Sequence, residues 1–264
     1  MADDAFVLAS VRHPVQHFIS VFREMHTLNA VRRLTNNKTL TEFDGMRIFL
    51  RDPKSVQKTY VTYGRNKMDG INEKTNNVYD ISLVQPNIQS FSLGITESAS
   101  QEEFDNRLAE INFIVVAERF DESMLVLREK LCCTIEDLVY RRPSHENIFI
   151  EKQIFIPQDL QKLVLEFNKQ DTKLYKYALS ALQKQIDKLN DVDQLLGIYR
   201  FEMEKYEMKC TNPKFPNTFK DKICPPLSRP GVGGFAMGVL QEQKERLLKK
   251  LRSQYVNDNR DTHS

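Results

Sequence analysis

The stretch AFVLASVRHPVQHFIS, Ala5 to Ser20, decides the fold class. Its apolar first part, Ala5 to Val11, predicts a short buried strand. Pro14 is favoured in the first turn of a helix, because an amide there would have no helical partner. One apolar helix face follows at the i, i+3, i+4, i+7 spacing: Val15, Phe18, Ile19 and Phe22. The stretch therefore predicts a strand, a tight turn and a helix, which is half of a βαβ unit.

A second unit of the same kind lies in the middle of the chain. The run FIVVA, Phe113 to Ala117, predicts another buried strand. A turn over Glu118–Asp121 follows, with Asp121 as a plausible N-cap, and then a helix from Glu122 to Cys133. Two such units favour an α/β fold, with a parallel sheet flanked by helices.

The remaining segments are predicted to be mostly helical. Helices are expected at Thr39–Leu50, capped by Thr39 or Thr41, at Ser100–Ile111, and through most of the chain after Pro157. The polar residues 60–100 suggest loops with short helices or a strand. We expect one domain over residues 1–210 and an appendage over 211–264, consisting of a Pro- and Gly-rich loop and a charged C-terminal helix.

Composition narrows the function classes. Hydrophobic residues make up 41% of the 264 residues, which is enough for a real core. A formal net charge of +2 gives no reason to expect nucleic acid as a partner. The sequence contains no apolar run of membrane-spanning length, and its acidic start lacks the features of a signal peptide. If Met1 is the true start, these features predict a soluble cytosolic protein.

The cysteines show no zinc-site spacing, so a structural metal is not expected. Cys132 and Cys133 fall in an apolar helical pattern and are predicted to be buried thiols. Cys210 and Cys224 bracket a loop and could form a disulfide in an oxidising compartment.

Arg12 and Ser20 form the most informative pair. Arg12 follows the first predicted strand, and open α/β sheets bind ligands beyond the carboxyl ends of their strands. Its guanidinium matches phosphate oxygens, and the Ser20 hydroxyl on the next helix can add a hydrogen bond. An anion held between them is geometrically reasonable, although an arginine after a strand is often a simple surface residue.

The Arg-x-Pro element, with a serine six residues after the proline, resembles the segment by which sulfotransferases hold the 3′-phosphate of 3′-phosphoadenosine 5′-phosphosulfate. The stretch FIVVAERFDESMLVLR, Phe113 to Arg128, more specifically resembles the galactose 3-O-sulfotransferase family. Glu136–Tyr140, Phe167–Asn168 and Leu174–Tyr175 continue the likeness. Altogether the resemblance extends from about residue 4 to residue 190.

This resemblance implies a P-loop-type sulfotransferase fold and a Golgi type II membrane protein acting on the lumenal side. The reaction would transfer a sulfuryl group from 3′-phosphoadenosine 5′-phosphosulfate to the 3-hydroxyl of galactose on a glycolipid or glycoprotein, with no metal. Arg12 and Ser20 would bind the 3′-phosphate. Family members also carry an upstream 5′-phosphosulfate loop and an anchor, so the sequence is expected to be truncated at its N-terminus, with Met1 internal.

The resemblance also suggests acceptor-binding residues, although no catalytic base can be named. The weak candidates are polar residues between the two predicted units and at the end of the second strand: Arg65, Asn66, Tyr79, Asp80 and Glu118. Glu118 could equally form an ordinary salt bridge. His13 and His17 are predicted to be a solvated pair rather than a base or metal site.

Asn37-Lys38-Thr39 is an N-glycosylation sequon that is predicted to be exposed, which fits a lumenal protein. Two alternatives to the enzyme remain open. One is a catalytically inactive paralogue that binds nucleotide or glycan, and the more distant one is a P-loop-type kinase relative.

Overall fold

A computed structural model describes residues 6–64, 84–139 and 155–211. The chain divides into two compact units. The larger contains Met1–Cys132 and Gln153–Val192, and the smaller contains Cys133–Lys152 and Asp193–Ser264. The predicted boundary at residue 210 falls near the end of the last described helix, and the predicted appendage lies almost wholly outside the described residues. The division at residue 210 stays a prediction.

The larger unit contains a small parallel sheet. Strand β1, Leu8–Val11, pairs with strand β2, Phe113–Val116, in a register that runs from Leu8 opposite Phe113 to Val11 opposite Val116. All four residues of β2 are buried, as a strand covered on both faces requires. The prediction of an α/β fold with a parallel sheet is confirmed at this level, and most of the described chain is helical.

Ten α-helices make up most of the remaining described residues. In chain order they are α1 Pro14–Glu24, α2 Thr27–Thr35, α3 Glu42–Arg51, α4 Pro53–Gly64, α5 Ile88–Ser92, α6 Gln101–Ala109, α7 Phe120–Leu131, α8 Gln158–Phe167, α9 Lys169–Ile186 and α10 Val192–Thr211. Short 3₁₀ turns occupy Ala117–Arg119 and Glu136–Leu138. Pro14 stands in the first turn of α1, as its missing amide predicts.

The segment after β2 differs from its prediction. A 3₁₀ turn carries the chain from Val116 into α7, which begins at Phe120, so Asp121 lies in the first turn and is not the N-cap. The buried Ser123 hydroxyl accepts a hydrogen bond from the Val116 amide at 3.1 Å, and this bond ties the helix back to the end of the strand. A helix register starting at Phe120 was not visible in the apolar pattern.

The prediction of buried thiols at Cys132 and Cys133 is wrong. Helix α7 ends at Leu131, and Cys132 adopts the left-handed conformation that commonly terminates a helix. Residues after Leu131 therefore no longer continue the buried face of α7. Cys132 is exposed and Cys133 is half-buried.

The core of the larger unit lies mainly between helices. Residues of α1, α2, α3 and α8 form one buried cluster, in which Phe18, Phe22 and Phe49 are nearly inaccessible to solvent. The apolar face of α1 was predicted from its periodicity. In the smaller unit, the described residues are 133–139 and 193–211, and α10 buries the Tyr199 side chain. No helix in the described ranges is long and apolar enough to cross a bilayer.

Candidate functional site

Arg12 occupies the first position beyond β1, at the carboxyl edge of the sheet, and its side chain is half-buried. Its backbone is held by one side chain. The Arg12 amide donates to Oε1 of Gln89 at 2.7 Å, and the Arg12 carbonyl accepts from Nε2 of Gln89 at 3.0 Å. The Gln89 carboxamide thus satisfies both backbone polar groups of Arg12.

Gln89 is itself fixed by a buried carboxylate. Asp171, only 1% exposed, accepts from the Gln89 amide at 3.2 Å and from the Ser90 amide at 2.7 Å. These amides belong to the first turn of α5, where helical partners are lacking. A carboxylate that accepts two backbone bonds offsets part of the cost of its burial.

Asn87 makes the reciprocal connection. It adopts the left-handed conformation before α5, and its Oδ1 accepts from the amides of Gln170 at 2.8 Å and Asp171 at 3.2 Å. Its own amide donates to Oδ1 of Asn168 at 3.0 Å. The turn between α8 and α9 and the start of α5 are therefore locked together, which places Gln89 beside Arg12.

The sequence analysis missed this network. Residues 84–92 looked like an ordinary polar loop, and Asn168 was noted only as part of the family likeness. The bonds join residues 77 to 84 positions apart, so no local spacing indicates them.

The turn after β2 lies beside the turn after β1. Oε1 of Glu118 accepts from the His13 amide at 2.8 Å. The Tyr175 hydroxyl also donates to Glu118, and burial, with the negative charge of Glu118 second, raises the pKa of Tyr175 to about 12. The rings of His13 and Tyr175 meet edge to face, 5.2 Å between centroids. Glu118 therefore links both strand ends to α9.

The prediction of a solvated His13–His17 pair is wrong. His17 is half-buried, and burial lowers the pKa of its imidazole. The negative charge of Asp171 partly opposes that pKa change, whereas the positive charge of Arg12 adds to it. The guanidinium of Arg12 is thus within electrostatic range of His17.

Ser20 lies on α1, six residues beyond Pro14, which places it about 9 Å farther along the helix axis. Its side chain is half-buried. A joint role for Arg12 and Ser20 stays a prediction. The weak acceptor candidates Arg65, Asn66, Tyr79 and Asp80 lie outside the described residues.

Asn37 is exposed in the connection between α2 and α3. Its Oδ1 accepts from both the amide and the hydroxyl of Thr39, at 3.0 Å each. Within residues 6–64, 84–139 and 155–211, no group of three or more His, Cys, Asp or Glu side chains is arranged to hold a metal ion.

The fold and the carboxyl edge of the sheet define the class of protein. It is an α/β protein whose parallel strands end beside a half-buried arginine, Arg12. The comparison with known families is more specific. The model of the galactose-3-O-sulfotransferase family matches residues 1–208, and the chain belongs to that family. Membership indicates a sulfotransferase with a galactosyl acceptor. No curated protein and no solved structure matched the chain.

Proposed function

We propose that the protein transfers a sulfuryl group from 3′-phosphoadenosine 5′-phosphosulfate to the 3-hydroxyl of galactose on a glycolipid such as galactosylceramide, or on a glycoprotein. The family match over residues 1–208 carries this proposal. Residues 1–210 would constitute the sulfotransferase domain, on a P-loop-type fold of which β1, β2 and their helices are part. The position of Arg12 at the carboxyl ends of the strands supports a nucleotide site there.

In the proposed reaction the acceptor oxygen attacks sulfur, and the bond from sulfur to the 5′-phosphate oxygen breaks. The products are the galactose 3-sulfate and adenosine 3′,5′-bisphosphate, and the acceptor proton passes to a base. Arg12 and Ser20 would hold the 3′-phosphate, remote from the sulfur atom, so their role is to bind and orient the nucleotide. No metal ion is needed in this scheme.

The acceptor would lie beside the strand ends, with Glu118 as a candidate contact and Arg65, Asn66, Tyr79 and Asp80 as further candidates. Glu118 already accepts hydrogen bonds from the His13 amide and Tyr175. Glu118 is an exposed residue, so its carboxylate would also be open to a sugar hydroxyl. We place the protein on the lumenal side of the Golgi membrane, where the exposed Asn37 could carry a glycan.

Replacing Arg12 tests the nucleotide site directly. We expect Arg12→Ala to weaken binding of adenosine 3′,5′-bisphosphate by about 10- to 100-fold, since a charge-assisted contact to the 3′-phosphate is lost. Binding of adenosine 5′-monophosphate, which lacks that phosphate, should change little. Titration calorimetry with both nucleotides measures the two affinities. Ser20→Ala should cause a smaller loss in the same direction.

Arg33→Ala is a matched control, since Arg33 is an exposed arginine on α2. It should leave both affinities unchanged. Equal weakening of both nucleotides by Arg12→Ala would contradict a 3′-phosphate site. Catalysis is then tested by the transfer of a labelled sulfuryl group from 3′-phosphoadenosine 5′-phosphosulfate to galactosylceramide or lactose. Nucleotide binding without any transfer would favour the inactive binding paralogue.

A further inference from the structure

We propose that Gln89 is a positioning residue for the nucleotide site: its carboxamide holds the backbone of Arg12 and so sets where the guanidinium points. This inference rests on the proposed function, because it assigns Gln89 to the site that Arg12 would form for the 3′-phosphate. Gln89 itself does not touch the nucleotide in this proposal.

The first support is the end of the strand ladder. The paired register stops at Val11 opposite Val116, and the chain beyond Val116 turns into a 3₁₀ helix. The strand ladder therefore ends one residue before Arg12. Gln89 supplies the missing partner, accepting from the Arg12 amide at 2.7 Å and donating to the Arg12 carbonyl at 3.0 Å. A carboxamide accepts through its oxygen and donates through its nitrogen, as the backbone of a neighbouring strand would.

The second support is the rigidity of the element that carries Gln89. Asp171 binds the Gln89 and Ser90 amides, while Asn87 binds the amides of Gln170 and Asp171. Both Asn87 and Asp171 are buried, where hydrogen bonds compete least with water. The two turns thus hold each other from both sides, and the backbone of Gln89 cannot shift without breaking buried bonds.

The third support is the consequence for the side chain of Arg12. A bidentate arginine contact requires the guanidinium plane to match the phosphate oxygens, so a small rotation of the backbone at Arg12 moves the fork off its target. Fixing both backbone groups of Arg12 removes that rotation before the ligand arrives. A preorganised donor loses less freedom on binding and therefore binds more tightly.

The test uses the full chain and two nucleotides. Gln89→Met keeps the length of the side chain and removes both bonds to Arg12. We expect it to weaken binding of adenosine 3′,5′-bisphosphate by about 5- to 10-fold and binding of adenosine 5′-monophosphate by less than about twofold. A purely structural role would weaken both nucleotides alike. The ratio of the two affinities is therefore the deciding quantity.

Gln161→Met is the matched control. Gln161 also uses its carboxamide to bind a backbone carbonyl, that of Ile156 at 2.8 Å, in the same partly buried setting. It should leave the ratio unchanged. Circular dichroism and thermal unfolding check each variant for folding. If Gln89→Met does not fold, Gln89→Asn, which adds no charge and is one methylene too short to keep both bonds to Arg12, takes its place and is judged by the same ratio.

The outcomes separate the two proposals. If Arg12→Ala abolishes the preference for the 3′-phosphate and Gln89→Met retains it, the positioning role is wrong while the nucleotide site stands. If Arg12→Ala itself leaves the preference intact, the nucleotide site and the positioning role both fail. A preference that is lost in Arg12→Ala and clearly reduced in Gln89→Met, with Gln161→Met unchanged, supports both.

Discussion

At the scale of single residues, the position of Arg12 could be predicted and its support could not. A charged residue after an apolar run marks a strand end, and Pro14 marks the helix that follows. The partner that holds Arg12, Gln89, lies 77 residues away. Only the folded chain brings the two together. The family likeness drew attention to Asn168 and Tyr175 without indicating what either residue contacts.

His17 gives a residue-scale prediction on pH. Burial lowers the pKa of the folded imidazole below its ordinary value of 6.5, whereas the unfolded chain titrates near that value. Just below the ordinary pKa the unfolded state binds more protons than the folded state, so stability falls as pH falls through that range. Replacing His17 with Gln should remove this part of the stability loss at low pH. Urea unfolding between about pH 7.5 and about pH 5.5 measures it.

The charged groups near His17 determine how this prediction must be tested. Asp171 opposes the pKa change and Arg12 adds to it, so neither may be altered in the same variant. His26, an exposed residue in the left-handed conformation before α2, provides the control, and Asn is the replacement that tolerates this conformation. His26→Asn removes an exposed imidazole, and its pH dependence is measured beside that of His17→Gln. A His17→Gln variant with an unchanged acid slope would show that this imidazole does not contribute.

At the scale of elements, local signals located helices well and their ends less well. The helix predicted at Thr39–Leu50 is Glu42–Arg51 with Thr41 as its cap, because the Thr41 hydroxyl accepts the Asp44 amide at 3.2 Å. The start of α7 was misplaced by two residues, since Ser123 binds back to Val116 and no periodicity shows that bond. Caps that use neighbouring residues can be predicted, whereas those set by tertiary contacts cannot.

Helix α6 offers the corresponding test. Ser100 and Glu103 form a complete capping box: the Ser100 hydroxyl accepts the Glu103 amide at 3.1 Å, and the Ser100 amide donates to Oε2 of Glu103 at 2.7 Å. Ser100→Ala should lower the free energy of unfolding by about 1 kcal/mol. Ser180→Ala, at an exposed position within α9, should instead be neutral or slightly stabilising, because alanine is the better helix former. Chemical denaturation compares the two variants, and equal effects would contradict the capping role.

At the scale of the whole molecule, the sequence predicted the fold class through its two strand–turn–helix units and left the main core unseen. The sheet of the larger unit has two described strands, too few to bury a large apolar surface alone. Most of the buried cluster instead comes from three consecutive helices, α1, α2 and α3, and from α8, which lies far along the chain after β2. Periodicity shows which face of each helix is apolar, but it does not show which helices meet.

Phe49 tests whether this helical cluster stabilises the larger unit. It is fully buried on α3, and its ring centroid lies 6.0 to 6.1 Å from those of Phe18, Phe22 and Phe167. Removing the ring leaves a cavity, so Phe49→Ala should cost about 3–5 kcal/mol of unfolding free energy. Phe91, 61% exposed, is the control, and Phe91→Ala should cost far less. Urea denaturation followed by circular dichroism measures both. A loss at Phe49 as small as that at Phe91 would mean that the stability of this unit resides elsewhere. A large loss would show that the helical cluster contributes strongly to the stability of the unit that carries Arg12.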